Sequence, residues 1–336
     1  MASVRSELHH YMEGLVSRLR DLLPGAFEQW DEDAIHDSRV ATRRLGAALD
    51  VLRQAANSTQ PKRFARALRR LRRRLGPLRD MDVMLGHLHE LHARPALATA
   101  AAWASARLAE KRDRLRGQIS REYPVERAVV DLGAWWGMRI DRDGLDARVT
   151  SLLHATIPRL FEDFARRADG LAWPREPQEP QDPHALRIAG KVLRYTLELG
   201  RVVGIKVPRA TLTALKRLQD ALGLWHDYVV LSQEVMRRAA KNEIAYHDPR
   251  LYQEILDLSR VAWNHAGRRL RHFATLWTRT GPRLRQALEQ TFRLPDQAPA
   301  DTATATLAAN PTRKHGASRA RPAASPSRAA ADQEGA

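Results

Sequence analysis

Two stretches of the chain set a histidine and two cations at one spacing. The first reads His36, Asp37, Ser38, Arg39, Val40, Ala41, Thr42, Arg43, Arg44, Leu45. The second reads His184, Ala185, Leu186, Arg187, Ile188, Ala189, Gly190, Lys191, Val192, Leu193. On a helix, steps of three and seven residues return to nearly one face. His36, Arg39 and Arg43 therefore share a stripe, as do His184, Arg187 and Lys191, with Arg44 flanking the first and Arg194 extending the second. Guanidinium forks take phosphate oxygens bidentately, lysine supplies a point charge, and histidine adds a donor whose charge depends on pH. A cationic helix face built twice fits a two-part site for an extended polyanion.

The repetition continues downstream. Leu75-Gly76-Pro77-Leu78-Arg79-Asp80-Met81-Asp82-Val83 matches Leu222-Gly223-Leu224-Trp225-His226-Asp227-Tyr228-Val229-Val230. The two histidines lie 148 positions apart and Asp80 and Asp227 lie 147 apart. Two motifs in one order at nearly one offset mark a duplicated half rather than a short solenoid unit. Asp80 and Asp227 are expected to pair with motif arginines and fix their rotamers.

The elements that must carry these stripes read as helices throughout, with no alternating strand pattern. Helices are expected over about 3–23, 34–55, 61–75, 77–92, 95–116 and 125–138, and again over 143–167, 183–203, 208–222, 225–241, 249–273 and 282–292. Several open with proline in the first turn, where its missing N–H costs little. The resulting fold class is all-α: two four-helix-bundle-like halves related by pseudo-two-fold symmetry. The first half covers about 1–170, a proline-spaced linker 171–183, and the second half 184–294. The Ala/Pro/Arg-containing tail at 295–336 has almost no large apolar residue and is expected to be disordered. Trp135, Trp136, Trp173, Trp225, Trp263 and Trp277 are expected at helix contacts or the linker.

One helix turns pattern directly into surface. Phe64, Leu68, Leu71 and Leu75 make a narrow apolar face, and Lys62, Arg66, Arg69, Arg70 and Arg73 fall opposite it with no interleaved acid. Its counterpart keeps Arg209, Lys216 and Arg217 but has Thr213 and Asp220 at two cationic positions, so the first half is expected to be the more basic. Over all 336 residues the net charge is +17 and the pI near 11.0, which argues for an anionic partner. With no cysteine there is no thiolate chemistry, disulfide or Cys-based zinc site. The first residues lack an apolar signal core, and no apolar run approaches the ~18 residues of a membrane span. A soluble cytoplasmic protein with no membrane partner is expected.

Taken together, His36/Arg39/Arg43/Arg44, Leu75-Gly76 with Arg79-Asp80, His184/Arg187/Lys191/Arg194/Tyr195, and Leu222-Gly223 with His226-Asp227 resemble the CHAD family, the α-helical domain named for its histidines. The resemblance runs from about residue 3 to 292. It implies paired helical bundles whose basic faces surround a groove or pore for inorganic polyphosphate, and a place on polyphosphate granules. One departure is Gly46, where an arginine matching Arg194 is expected. Some family members also carry a triphosphate-tunnel catalytic domain, but no Glu-x-Glu-x-Lys strand signature occurs here. The chain resembles a stand-alone binding module, without cofactor and not an enzyme.

Two rivals remain at this level. Other polyanions, nucleic acid among them, share the charge argument, although no helix-turn-helix, zinc-finger or RNA-recognition pattern is present. A phosphohydrolase or a histidine phosphotransfer protein using His36 or His184 is the second, weakened by the lack of a carboxylate cluster for Mg2+. His87-Leu88-His89-Glu90-Leu91-His92 looks superficially metal-like, but its spacing is not His-Glu-x-x-His and no metal site is assigned to it.

Overall fold

Side-chain caps start four of the helices. Ser6 Oγ accepts from His9 N at 3.3 Å to open α1 (Glu7–Pro24), and Asp31 Oδ1 accepts from Ala34 N at 2.6 Å at the head of α2 (Glu32–Ala55). Between them, the chain reverses through a π-turn at Gly25–Gln29 and Trp30 in the left-handed region. The computed structural model describes residues 6–55, 62–138, 140, 143–173 and 182–292. The tail from 295 onward and residues 174–181 of the expected linker lie outside the described residues.

α3 (Lys62–His92), α4 (Ala98–Glu122) and α5 (Val125–Leu132) follow, and then α6 (Leu145–Ala172) and α7 (Pro183–Val202). The remaining helices are α8 (Arg209–Lys241), the short α9 (Ile244–His247) and α10 (Pro249–Phe292). Asp182 caps α7 through Ala185 N at 2.8 Å with Pro183 in its first turn, and Asp248 caps α10 through Leu251 N at 2.9 Å. Among the described residues there is no strand.

Three expected helix breaks do not occur. The helices expected to end at Leu75, Leu222 and Phe273 run on through Gly76-Pro77, Gly223 and Pro282. At Pro77 the ring faces solvent, while Leu75 and Leu78 on either side are buried. The apolar stripe thus crosses the proline without a gap, and packing outweighs the lost hydrogen bond, a cost of about 3 kcal/mol. Pro158 and Pro282 likewise face outward inside α6 and α10.

α1 packs on α2, α2 on α3 and α3 on α4, with α5 against α1 and α3, and α8 lies along α10 while α6 packs chiefly on α7 and α10. The two groups meet where α2 contacts α6 and α7, α3 contacts α8, and α4 contacts α10. One apolar cluster runs through all of them, from Leu8 and Met12 through Phe64 and Phe164 to Trp277. Trp277 and Trp135 are buried as expected, and Trp277 donates to Asp169 at 2.7 Å. Trp136 and Trp263 are exposed instead, and Trp173 is exposed within the expected linker.

Candidate functional site

The site is built on α2 and α7, and their buried faces decide where its cations point. Ile35, Leu45 and Leu49 go into the core from α2, and Leu186, Leu193 and Leu197 from α7. Gly190 is what lets α7 sit close: a Cβ there would meet Phe164 at 3.0 Å, and its carbonyl accepts from the Gln219 amide. With those faces fixed, Arg39 and Arg43 from α2 come up beside Arg187 and Lys191 from α7.

The charges register that closeness. Burial first, then Arg43 and Arg187, pulls Lys191 down to about 7. Arg187 is held below the usual arginine range by burial and by Arg43, with Asp227 acting the other way. Arg39 is lowered by burial too, against Asp80. The aspartate of the first motif does what its spacing suggests: Arg39 Nη2 lies 3.4 Å from Asp80 Oδ1. Asp227 is raised by burial, with Arg187 the leading opposing charge. Arg43, Arg187 and Lys191 form no ion pair with a carboxylate among the described residues, and Arg187 Nε is buried without a hydrogen-bond partner.

The histidines sit at the same end. His36 lies at the surface, where partial cover of its ring, and then Arg79, lowers it. In the second set, the residue matching Arg79 is His226, and its ring lies 5.5 Å from that of His184. Burial, then Arg187, His184 and Lys191, take His226 down to about 4. Where one half has the permanent cations Arg43 and Arg79, the other has the titratable Lys191 and His226.

Other expected site residues are distributed around this centre. Arg44 Nε is 3.0 Å from Glu198 Oε2, and Arg194 Nη1 is 3.6 Å from Glu198 Oε1, so both are held by one carboxylate across the α2–α7 seam. Burial works against Arg44's charge, yet Glu198 outweighs it and raises the group overall. Lys62, Arg66, Arg69 and Arg73 are exposed along the start of α3, and Arg209, Lys216 and Arg217 along the start of α8. Arg70 is turned the other way, its Nε and Nη2 donating to Asp131 at 2.8 and 2.6 Å. Lys216 reaches Asp220 at 2.8 Å.

Arg72 was not singled out by spacing, yet it fills the gap left at Gly46. A Cβ at Gly46 would lie 3.7 Å from Arg72 Nη1, so the guanidinium of α3 lies over the bare glycine of α2. Burial, Arg43 and Arg69 lower it, and it has no ion-pair partner among the described residues. The missing side chain at Gly46 was the available signal. Gly76 does similar work for Arg39: a Cβ there would come within 2.8 Å of Arg39 Nη1. His87, His89 and His92 do not converge. His87 stacks on Tyr228, while His89 and His92 are exposed. Among the described residues, no group of three or more histidine or acidic side chains is placed to hold a metal.

The CHAD domain family model matches residues 10–236. The chain belongs to the CHAD family. The crystal structure of the CHAD domain from the plant Ricinus communis superposes with a TM-score of 0.52 at 20% identity, covering 86% of this chain and 91% of that one, and so shares its fold. No curated protein matches the chain. CHAD domains are known in general for association with polyphosphate. No helix among the described residues of this CHAD domain is long and apolar enough to cross a membrane.

Proposed function

We propose that this CHAD domain binds inorganic polyphosphate along the facing cationic stripes of α2 and α7, as a binding module and not a catalyst. The observation that carries the reading is the meeting of Arg43, Arg72, Arg187 and Lys191 without a carboxylate partner among the described residues. Like charges gathered in half-buried positions repel one another, and an anion of repeating charge relieves them all at once. Arg39 and Arg79 add to the same field, and the exposed cations of α3 and α8 extend it.

The aromatic content of the stripes favours phosphate over nucleic acid. Single-strand binders offer ring faces on which bases stack. Here Tyr195 is buried and Arg194 lies over its ring at 4.9 Å, so it offers no open face. Polyphosphate-rich granules are the cellular setting in which such a module fits.

The test is a titration with polyphosphates of defined length, with DNA as competitor. Affinity is expected to climb with chain length, and long polyphosphate is expected to displace DNA at far lower phosphate concentration than the reverse. Affinity that is flat with length, or DNA that wins, overturns the reading. Release of phosphate or formation of phosphohistidine on incubation with divalent metal would replace it with catalysis.

A further inference from the structure

Another His-x-x-Arg step lies on α10, outside the two repeated ridges: His265, Ala266, Gly267, Arg268, followed by Arg269. The fold brings it against the far side of the site. His87 of α3 stacks on Tyr228 of α8 with ring centroids 4.4 Å apart and planes at 24°, and Tyr228 in turn meets His265 at 4.9 Å. Tyr228 directly follows Asp227, whose carboxyl feels Arg187, His87 and Lys191. The row of rings therefore begins where the α2–α7 site ends.

Beyond the rings lies a concentration of cation. After burial, Arg268, Arg94 and Arg269 are what hold His265 below the usual imidazole range, and Glu90 is the acid that opposes them. The same three arginines and Glu90 bear on Tyr228. Arg94 and Arg268 are exposed and Arg269 half-exposed, and none of the three has an ion-pair partner among the described residues. The rings themselves are under-satisfied: His87 Nε2 and His265 Nε2 are both buried without a hydrogen-bond partner. Three solvent-facing arginines from the turn after α3 and from α10, with a single nearby acid, suit an oxyanion.

We propose that Arg94, Arg268 and Arg269 form a second phosphate-binding patch, which engages the same polyphosphate chain where it runs on over the surface beyond Asp227, above the buried His87–Tyr228–His265 row. This rests on the polyphosphate reading above and extends it to a face of the fold that neither repeated motif reaches. Its consequence is a length threshold: a short oligophosphate occupies the α2–α7 site alone, and a long chain bridges to the patch.

The experiment uses the full chain and two ligands, tripolyphosphate and a long polyphosphate, across a salt series. The triple variant Arg94→Gln, Arg268→Gln, Arg269→Gln is compared with a charge-matched control at exposed positions elsewhere on α10, Arg250→Gln, Arg279→Gln, Arg283→Gln. The first is expected to weaken long-chain binding about tenfold more than the control and to flatten the dependence of log affinity on log salt by about 2, the share of three phosphate contacts. Tripolyphosphate binding is expected to be unchanged, and lysine at all three positions is expected to restore most of the long-chain affinity. Equal losses in the two triple variants, or a loss that is the same for both ligands, overturns the patch while leaving the α2–α7 reading standing. If the unaltered chain binds no long polyphosphate, the α2–α7 reading fails and the patch falls with it.

Discussion

Glu198 of α7 holds Arg44 of α2 at 3.0 Å while Arg194, one turn back on its own helix, approaches its other oxygen at 3.6 Å. Two of the site's cations are thus tied to the protein's own acid, and their neighbours Arg43, Arg187 and Lys191 are not. The tie spans the seam between α2 and α7, so it fixes the spacing of the two stripes before any ligand arrives. Glu198→Gln leaves two half-buried guanidinium groups without a counter-charge. It is expected to lower stability by about 1–3 kcal/mol in urea unfolding, with polyphosphate affinity maintained or raised because two forks are released. A variant that unfolds at the normal urea concentration removes the clamp from the account.

The untied cations predict the opposite sign. Arg43 lies among Arg39, Arg72, Arg187 and Lys191. Arg43→Gln is therefore expected to raise stability by about 0.5–1 kcal/mol at low ionic strength, an effect that salt screens away. The same change is expected to weaken polyphosphate binding severalfold. Replacing Arg39, Arg43, Arg187 and Lys191 together with alanine is expected to abolish binding with helicity intact by circular dichroism.

Lys191 gives the pH dependence. Its empty-site value is about 7, against an ordinary 10.5. A bound polyanion favours the charged ammonium, so above about pH 7 the complex holds a proton that the free site lacks. Affinity is then expected to fall as pH rises from about 7 towards 10. Below 7 the lysine is charged in both states and contributes no slope; His226, at about 4 against 6.5, adds a lower window of the same sign. For the unliganded fold the sign is reversed. The unfolded chain keeps the lysine proton up to 10.5 while the folded one gives it up near 7, so this group's contribution to stability grows as pH rises through that interval. Calorimetry in buffers of different ionisation enthalpy is expected to show proton uptake on binding near pH 8.5, about one pH unit or more inside the window. Lys191→Arg is expected to abolish it. Uptake that persists in that variant assigns the proton to another group.

The paired glycines of the Leu-Gly motif are predicted to behave differently. Gly76→Ala drives a methyl against Arg39 Nη1, which must swing away from its position beside Asp80. A modest loss of stability and a clear loss of affinity are expected. Gly223→Ala meets nothing within 4 Å and lies inside α8, so it is expected to stabilise by up to about 1 kcal/mol with binding unchanged. Equal behaviour of the two in a binding titration would detach Gly76 from the site.

How much of this was legible depended on whether a feature was local. The stripes and their histidines follow from spacing and repetition along the chain, and of the two motif aspartates expected to pair with a motif arginine, Asp80 does so while Asp227 forms no ion pair among the described residues. The helix breaks at Gly76-Pro77, Gly223 and Pro282 were misjudged because local breaker signals lost to continuous burial, as at Leu75 and Leu78. Partners outside the repeated motifs were invisible. Nothing near Arg70 announces Asp131, 61 residues on, nor does anything near Arg44 announce Glu198, 154 residues away. Arg72 went unnoticed for a related reason, since its role is defined by the empty space at Gly46 on another helix.

At the very start of α1, Asp146 of α6 accepts from Ser6 Oγ at 2.7 Å and from the backbone N–H groups of Glu7 and Leu8 at 2.7 and 3.3 Å. The opening turn of the molecule is thus closed by a carboxylate translated about 140 residues later. On the ribosome, α1 must wait for α6 to emerge before its end is sealed. A fragment cut between α5 and α6 would keep the Ser6 cap but lose the carboxylate that takes the N–H groups of Glu7 and Leu8, so the first turn of α1 is completed only by the later part of the chain.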